Sequence, residues 1–133
     1  MGSYIVKQIT KLMIDKNINI ENSNILIMGL AFKEDCPDIR NTRIIDLIED
    51  FNNLNCSVSV YDPWVNKNQA IHEYGIEIID KPIEGSYDAI ILAVAHSEFK
   101  DMSMDKIKAL GKKNSIVYDI KYLFKAKEVD GRL

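Results

Sequence analysis

The sequence predicts an α/β domain: a Rossmann-like, doubly wound parallel sheet of about five strands, with a helix at the N-terminus docked against it. Two observations carry this. Short apolar runs alternate with segments of helical period along the whole chain, a pattern that forces parallel strands joined by right-handed crossovers. The run Asn24-Ile25-Leu26-Ile27-Met28 also stops at Gly29, passes through a polar loop to Arg40, and enters a strongly periodic segment. That is the strand–loop–helix opening of an α/β unit. In an open parallel sheet, ligands sit beyond the carboxyl ends of the strands, where such loops converge.

Taken in order, Ser3 reads as the cap of a first helix whose apolar residues Ile5, Ile9, Leu12 and Met13 form one stripe of a 3.6-residue period. Asp15-Lys16-Asn17 ends it. Asn24 to Gly29 is a strand apolar on both faces, as buried parallel strands are. Asn41 or Thr42 caps a second helix carrying Ile44, Ile45, Leu47, Ile48, Phe51 and Leu54. Cys56 to Tyr61 is the second strand, stopped by Asp62-Pro63-Trp64, because proline cannot extend a ladder. A helix over Lys67 to Tyr74 follows, with Gly75 in the left-handed cap position. Ile76 to Ile79 reads as a short strand, Pro82 to Ser86 as a loop and Ala89 to Ala93 as a buried strand. Ser103 caps a helix containing Met104, Ile107 and Leu110, closed by Gly111 with Lys112 and Lys113 at its negative end. Ile116 to Tyr118 is the last strand, and the polar tail from Lys125 to Leu133 reads as irregular and mobile.

The totals narrow the function classes. The chain has 133 residues, enough for one domain with a proper core, and its 47% hydrophobic and 28% charged content is that of an ordinary globular protein. A net charge of -3 argues against bulk electrostatic binding to nucleic acid or anionic lipid. Cys36 and Cys56 stand in unlike contexts and make no disulfide framework, so a reducing cytoplasm is expected. No apolar run approaches the ~20 residues of a membrane span, and the N-terminus lacks a signal-peptide pattern. The chain opens almost directly in a helix, as a segment excised from a longer protein would, and as a small native protein could also begin.

The first loop reads Gly-x-x-x-Lys. Gly29 stands alone, so neither a Gly-x-Gly-x-x-Gly dinucleotide turn nor a Walker loop is present, and NAD is not expected at this turn in the usual manner. Phosphate contacts are expected from the Lys33 and Arg40 side chains, assisted by helix N-terminal amides. Cys36 reads as a bland loop cysteine and Cys56 as a small core residue. His96 reads as a structural hydrogen-bonder, and His72 as an exposed helix residue. Asp62 has two readings, a ribose-binding carboxylate or a cap before Trp64; Trp64 itself reads as packing its loop. Lys106, Lys108, Lys112 and Lys113 read as a solvated helix face and end. No His/Cys/Asp cluster has metal-ligand spacing, and no residue is assigned to catalysis or to a metal.

The string Gly29-Leu30-Ala31-Phe32-Lys33-x4-Asp38-x-Arg40-Asn41-Thr42, followed by Asp62-Pro63, resembles the C-terminal, UDP-binding domain of the UDP-glucose/GDP-mannose dehydrogenase family. Ala93-Val94-Ala95-His96-Ser97-Glu98-Phe99, Asp119-Ile120-Lys121 and Asp130-Gly131-Arg132-Leu133 are similar to the branch acting on UDP-N-acetylgalactosamine or UDP-N-acetylglucosamine in bacterial surface-polysaccharide synthesis. The resemblance implies that residues 1–20 are the end of a central inter-domain helix that builds a homodimer, and residues 21–133 the UDP-binding domain. It implies that Phe32 and Lys33 contact the UDP-sugar, that Arg40 reaches toward the pyrophosphate of NAD, and that Lys121 stands where the family often has a substrate-binding arginine. It also implies that the cofactor turn and nucleophilic cysteine belong to another domain, so this chain alone is expected to be inactive in the two-step oxidation at C6. The alternative is a stand-alone, non-catalytic nucleotide-binding or regulatory module. Its concrete version, a phosphoacceptor receiver, would need acidic residues where Gly29-Leu30-Ala31 stand.

Overall fold

A computed structural model describes residues 2–40 and 42–133. Helix α1 spans Gly2–Asp15, β1 Asn24–Met28, α2 Ile44–Asn53, β2 Ser57–Tyr61 and α3 Lys67–Tyr74. They are followed by β3 Tyr87–Leu92, α4 Ser97–Asp101, α5 Met104–Leu110, β4 Gly111–Asp119 and β5 Gly131–Arg132. The strands form one five-stranded sheet in the order β2-β1-β3-β4-β5, with every pairing parallel.

Side-chain alternation along β1 divides the core. Ile25 and Ile27 face a cluster with Ile5, Ile9 and Met13 of α1 and Leu47, Ile48 and Phe51 of α2. Leu26 and Met28 face the opposite cluster, with Phe99 of α4 and Ile107 and Leu110 of α5. Helices thus cover both faces, which is why β1 from Ile25 and β3 from Ala89 can be apolar on both sides. All six residues of β3 are buried. At roughly 25 cal/mol per Å² of apolar surface, this two-sided burial is the main stabilising term of the fold.

Local chemistry sets several boundaries as expected. Asn66 Oδ1 accepts the Gln69 amide at the start of α3, and Gly75 closes that helix at φ 68°. Ser103 accepts the Lys106 amide at the start of α5. Other expectations need correction. The cap assigned to Ser3 falls inside α1, which already begins at Gly2. Asn41 lies outside the described residues, and the cap position of α2 is Arg43, whose side chain makes no capping bond; Thr42, one residue earlier, accepts the Ile44 amide at 3.3 Å. Leu54, counted on the apolar face of α2, is 39% exposed at the helix exit. Lys112 and Lys113 belong to β4, not to a helix end, since Gly111 has an extended backbone and pairs with Tyr87. The short helix α4 was not expected at all.

The largest correction concerns the sheet edge. Ile76 to Ile79 makes a single bridge, Val60 with Ile78, before the chain turns away at Asp80. The fifth strand comes from the tail that was read as irregular and mobile. The Asp130 carboxylate accepts the Val117 amide at 2.7 Å and pairs with Lys16 at 2.9 Å, which lays the tail along β4. Gly131 fits there because a Cβ would meet Leu12 at 2.8 Å and the Tyr118 ring at 3.1 Å.

Candidate functional site

In the order β2-β1-β3-β4-β5, the chain leaves β1 toward one face of the sheet and β3 toward the other. The crevice between those two strand ends is the topological switch point. A cavity of about 300 Å³ opens there. The loop after β1 lines it with Phe32, Lys33 and Glu34, the N-terminus of α2 with Arg43, the exit of β3 with Val94, and the turn after β4 with Lys121.

Gly29 makes this crevice possible. Its φ is 112°, and a Cβ would stand 2.5 Å from Val94 Cβ and 2.9 Å from Val94 N. Only a residue without a side chain lets the ends of β1 and β3 approach so closely.

Beyond Gly29, the loop is held by buried groups. Asp62 Oδ2 accepts the amides of Leu30 at 2.7 Å and Ala31 at 3.0 Å, and sits 2.9 Å from His96 Nε2. Asp62 Oδ1 accepts the Trp64 amide at 2.8 Å. Burial alone would raise the Asp62 carboxyl, but the His96 ring and the three amides outweigh it and hold the group below the ordinary carboxylate range. The Asp35 carboxylate accepts the amide and hydroxyl of Ser97 at 2.8 and 2.6 Å, and these bonds lower its pKa. Phe32 donates its amide to Asp38 O at 2.7 Å. A buried Asp119 does similar service for Lys121, accepting the Lys121 and Phe124 amides at 3.2 and 2.9 Å.

Phe32, Lys33 and Lys121 therefore meet on one cavity. Arg40 does not line it. Its guanidinium is 81% exposed and makes paired 3.0 Å bonds to Asp38, which hold the Asp38 carboxyl down to about 2. Asp62 caps no helix, since α3 is capped by Asn66; its buried carboxylate instead accepts the Leu30, Ala31 and Trp64 amides, the last as a local turn. His96 is buried with both nitrogens bonded, Cys56 is buried, and Cys36 accepts the Asp38 amide at 3.5 Å. Trp64 stacks near His96 and donates to Glu98 at 2.9 Å. No group of three or more His, Cys, Asp or Glu able to hold a metal occurs among the described residues.

Sequence reasoning missed Arg43, which follows directly on the Arg40-Asn41-Thr42 string and could have been flagged as a cation at a helix start. It also missed the link between Asp62 and His96, for which 34 residues of separation leave no local signal.

Three cations and the positive end of a helix, against the single carboxylate of Glu34, give this cavity a predominantly positive lining, the electrostatics that suit an anion. The exposed Phe32 ring adds an apolar face for a base or sugar. A larger cavity of about 700 Å³ borders the outer edge of β2, but the charged side chains lining it are Glu77 and Asp80, which repel such a ligand. No helix of the described residues is long and apolar enough to cross a membrane.

Comparison with known proteins agrees with this geometry. The UDP binding domain of the UDP-glucose/GDP-mannose dehydrogenase family matches residues 26–126. A UDP-N-acetyl-D-glucosamine 6-dehydrogenase of Pseudomonas aeruginosa is 47% identical over 133 residues, covering 100% of this chain and 32% of that protein. A similar enzyme of Salmonella typhi is 46% identical, with 31% of its length covered. The chain thus spans about a third of these relatives. Among solved structures, a UDP-D-ManNAc dehydrogenase from Pyrococcus horikoshii superposes with a TM-score of 0.74 and 26% identity, over 93% of this chain and 28% of its own.

Proposed function

The chain belongs to the UDP-glucose/GDP-mannose dehydrogenase family, and from that premise we propose that it binds the UDP moiety of a UDP-sugar at the switch-point cavity. The observation that carries this is the convergence of Lys33, Arg43, Lys121 and the α2 N-terminus beside the Phe32 ring. Lys33 and Lys121 neutralise the diphosphate as point charges, Arg43 offers a planar fork to phosphate oxygens, and Phe32 packs on the base or sugar.

In this reading the chain serves a longer NAD-dependent, cytoplasmic enzyme that oxidises the C6 alcohol of a UDP-N-acetylhexosamine to the uronate for surface-polysaccharide synthesis. The relatives named as UDP-N-acetyl-D-glucosamine 6-dehydrogenases, similar along the whole of this chain, support that substrate class. Helix α1, within a first segment of residues 1–20, is then the end of the central helix of a homodimer, and residues 21–133 are the UDP-binding domain. NAD does not fit this chain as its principal host, because Gly29 stands alone after β1 and the loop lacks the second glycine through which a dinucleotide turn lets its backbone approach the pyrophosphate. Arg40 is the residue here that can reach toward NAD, as an exposed guanidinium away from the UDP cavity. Neither cysteine suits a nucleophile: Cys56 is buried in the core, and Cys36 is half-buried in its loop. The chain alone is inactive in oxidation on this reading.

Calorimetric titration with UDP and UDP-N-acetylglucosamine, using AMP and NAD as controls, tests the proposal. Selective UDP binding, with a stabilisation of ~2.7 kcal/mol at about a hundred times the dissociation constant, is the expected result. Equal binding of AMP, or UDP binding untouched by Lys33→Ala, would overturn it.

A further inference from the structure

His96 is fully buried, yet the nucleotide site as described gives it no role. Its Nδ1 accepts the Asp35 amide N–H at 2.9 Å, which requires an unprotonated Nδ1. The ring proton therefore sits on Nε2 and is donated to Asp62 Oδ2 at 2.9 Å. The same Asp62 oxygen accepts the Leu30 and Ala31 amides. Two anchors result, one at residues 30–31 and one at residue 35, and Phe32 and Lys33 lie between them.

Other contacts keep the ring in one orientation. Phe99 meets it edge-on with centroids 5.4 Å apart, and Trp64 stacks at 6.1 Å and 25°. Ser97, the next residue in the chain, holds the Asp35 carboxylate by its amide and hydroxyl. Asp35 itself has φ 51°, a left-handed backbone that a non-glycine residue keeps only when its surroundings impose it.

We propose that His96 is a positioning residue for nucleotide binding: a neutral strut, protonated on Nε2, that spans Asp62 and the Asp35 amide and so presents Phe32 and Lys33 to the UDP diphosphate. This inference rests on the UDP reading of the preceding subsection. A loop ordered before the ligand arrives avoids much of the entropy loss of ordering it on binding, so the strut acts on affinity as well as on the fold. The anchor at residue 35 is made by His96 itself, whereas the one at residues 30–31 is made by Asp62, whose bonds to the Leu30 and Ala31 amides do not need the ring.

The two ends can be cut separately. In His96→Asn the side-chain oxygen takes the place of Nδ1 and can still accept the Asp35 amide, while the reach to Asp62 is lost. In His96→Gln the amide nitrogen takes the place of Nε2 and keeps the bond to Asp62, but the Asp35 amide is left without its acceptor. Both variants lose thermal stability. UDP affinity, measured by calorimetry on this chain, should stay within about threefold of wild type in H96N and fall about tenfold in H96Q. In the ligand-free protein the Asp35 amide should exchange with solvent faster in H96Q than in H96N. Imidazole ¹⁵N shifts of the wild type should show a protonated Nε2 and a bare Nδ1.

Equal UDP affinities in H96N and H96Q, or a proton on Nδ1 near neutral pH, would overturn the positioning role while leaving the UDP reading intact. A wild-type chain that binds no UDP would overturn that reading first, and the positioning role with it.

Discussion

Asp62 follows β2 and Asp119 closes β4, and both carboxylates are buried at the carboxyl end of the sheet. Each accepts backbone amides from a segment that carries a lysine into the same cavity. Asp119 works locally: its acceptors are filled by Lys121 and Phe124, two and five residues along its own turn. Asp62 has one local partner, the Trp64 amide, but otherwise works across the fold: Leu30, Ala31 and His96 lie 32, 31 and 34 residues away in sequence. A local carboxylate shapes one turn and places one cation. A non-local one fixes two loops against each other, and the crevice between them is the site.

The largest effect that tests this contrast is on stability. Asp62→Asn removes a charge that three amides and a histidine converge on, and should cost about 3 kcal/mol. For a domain of this size that is a fall of about 10 °C in Tm. Asp119→Asn should cost about half as much, because its turn can relax without displacing a second loop. Equal losses in thermal denaturation would show that the distinction between local and non-local has no energetic content.

Ligand affinity sharpens the contrast next. Lys33 stands on the loop that Asp62 holds, and Lys121 on the turn that Asp119 holds. Lys33→Ala should weaken UDP about tenfold and Lys121→Ala about threefold by calorimetry, the pre-ordered loop supplying the stronger contact. The reverse ranking would put the diphosphate on the Lys121 side of the crevice.

Acid titration isolates Asp62. Because its carboxyl is held below the ordinary range in the fold, it contributes stability above the unfolded value. That contribution is lost as pH falls through the lower, folded value. The stability gap between wild type and D62N should therefore be full at about pH 5 and shrink progressively below about pH 4. A gap that grew on acidification would contradict the direction of the shift.

The smallest effect is expected at Arg40. Its guanidinium is exposed and bonded to Asp38, so Arg40→Ala should leave UDP affinity within about twofold and Tm almost unchanged. The Asp38 carboxyl should rise from about 2 toward the ordinary range in an NMR titration. A larger loss of UDP binding would bring Arg40 into the UDP cavity, which it does not line.

Much of the molecule was legible before folding because the signals are local. The apolar runs of β1 and β3, the stripe of α1, the Gly75 and Ser103 caps, and the loop that bears Phe32 and Lys33 all depend on neighbours within about five residues. Lys121 was legible only through the family resemblance, as the cation standing where the family often has an arginine. What misled were segments whose fate depends on distant partners. Ile76 to Ile79 has strand composition but finds one bridging partner, whereas Gly131–Arg132 has little strand propensity and becomes β5 because Asp130 binds the Val117 amide and Gly131 fits against Tyr118 and Leu12. Asp62 carried two readings until the amides of Leu30 and Ala31 came within 3.0 Å of it.

The sequence by itself determined the α/β class, the strand–loop–helix frame and the loop that carries Lys33, since periodicity, capping and loop composition are short-range properties of the chain. Only the tertiary structure decided which segment completes the sheet, that Arg43 joins the cavity while Arg40 stays out of it, and that His96 and Asp62 brace the loop. Those outcomes depend on which backbone amides are left without partners once residues thirty or more positions apart have been packed together. Burial makes satisfying those groups obligatory, but no local pattern encodes which side chain will do it.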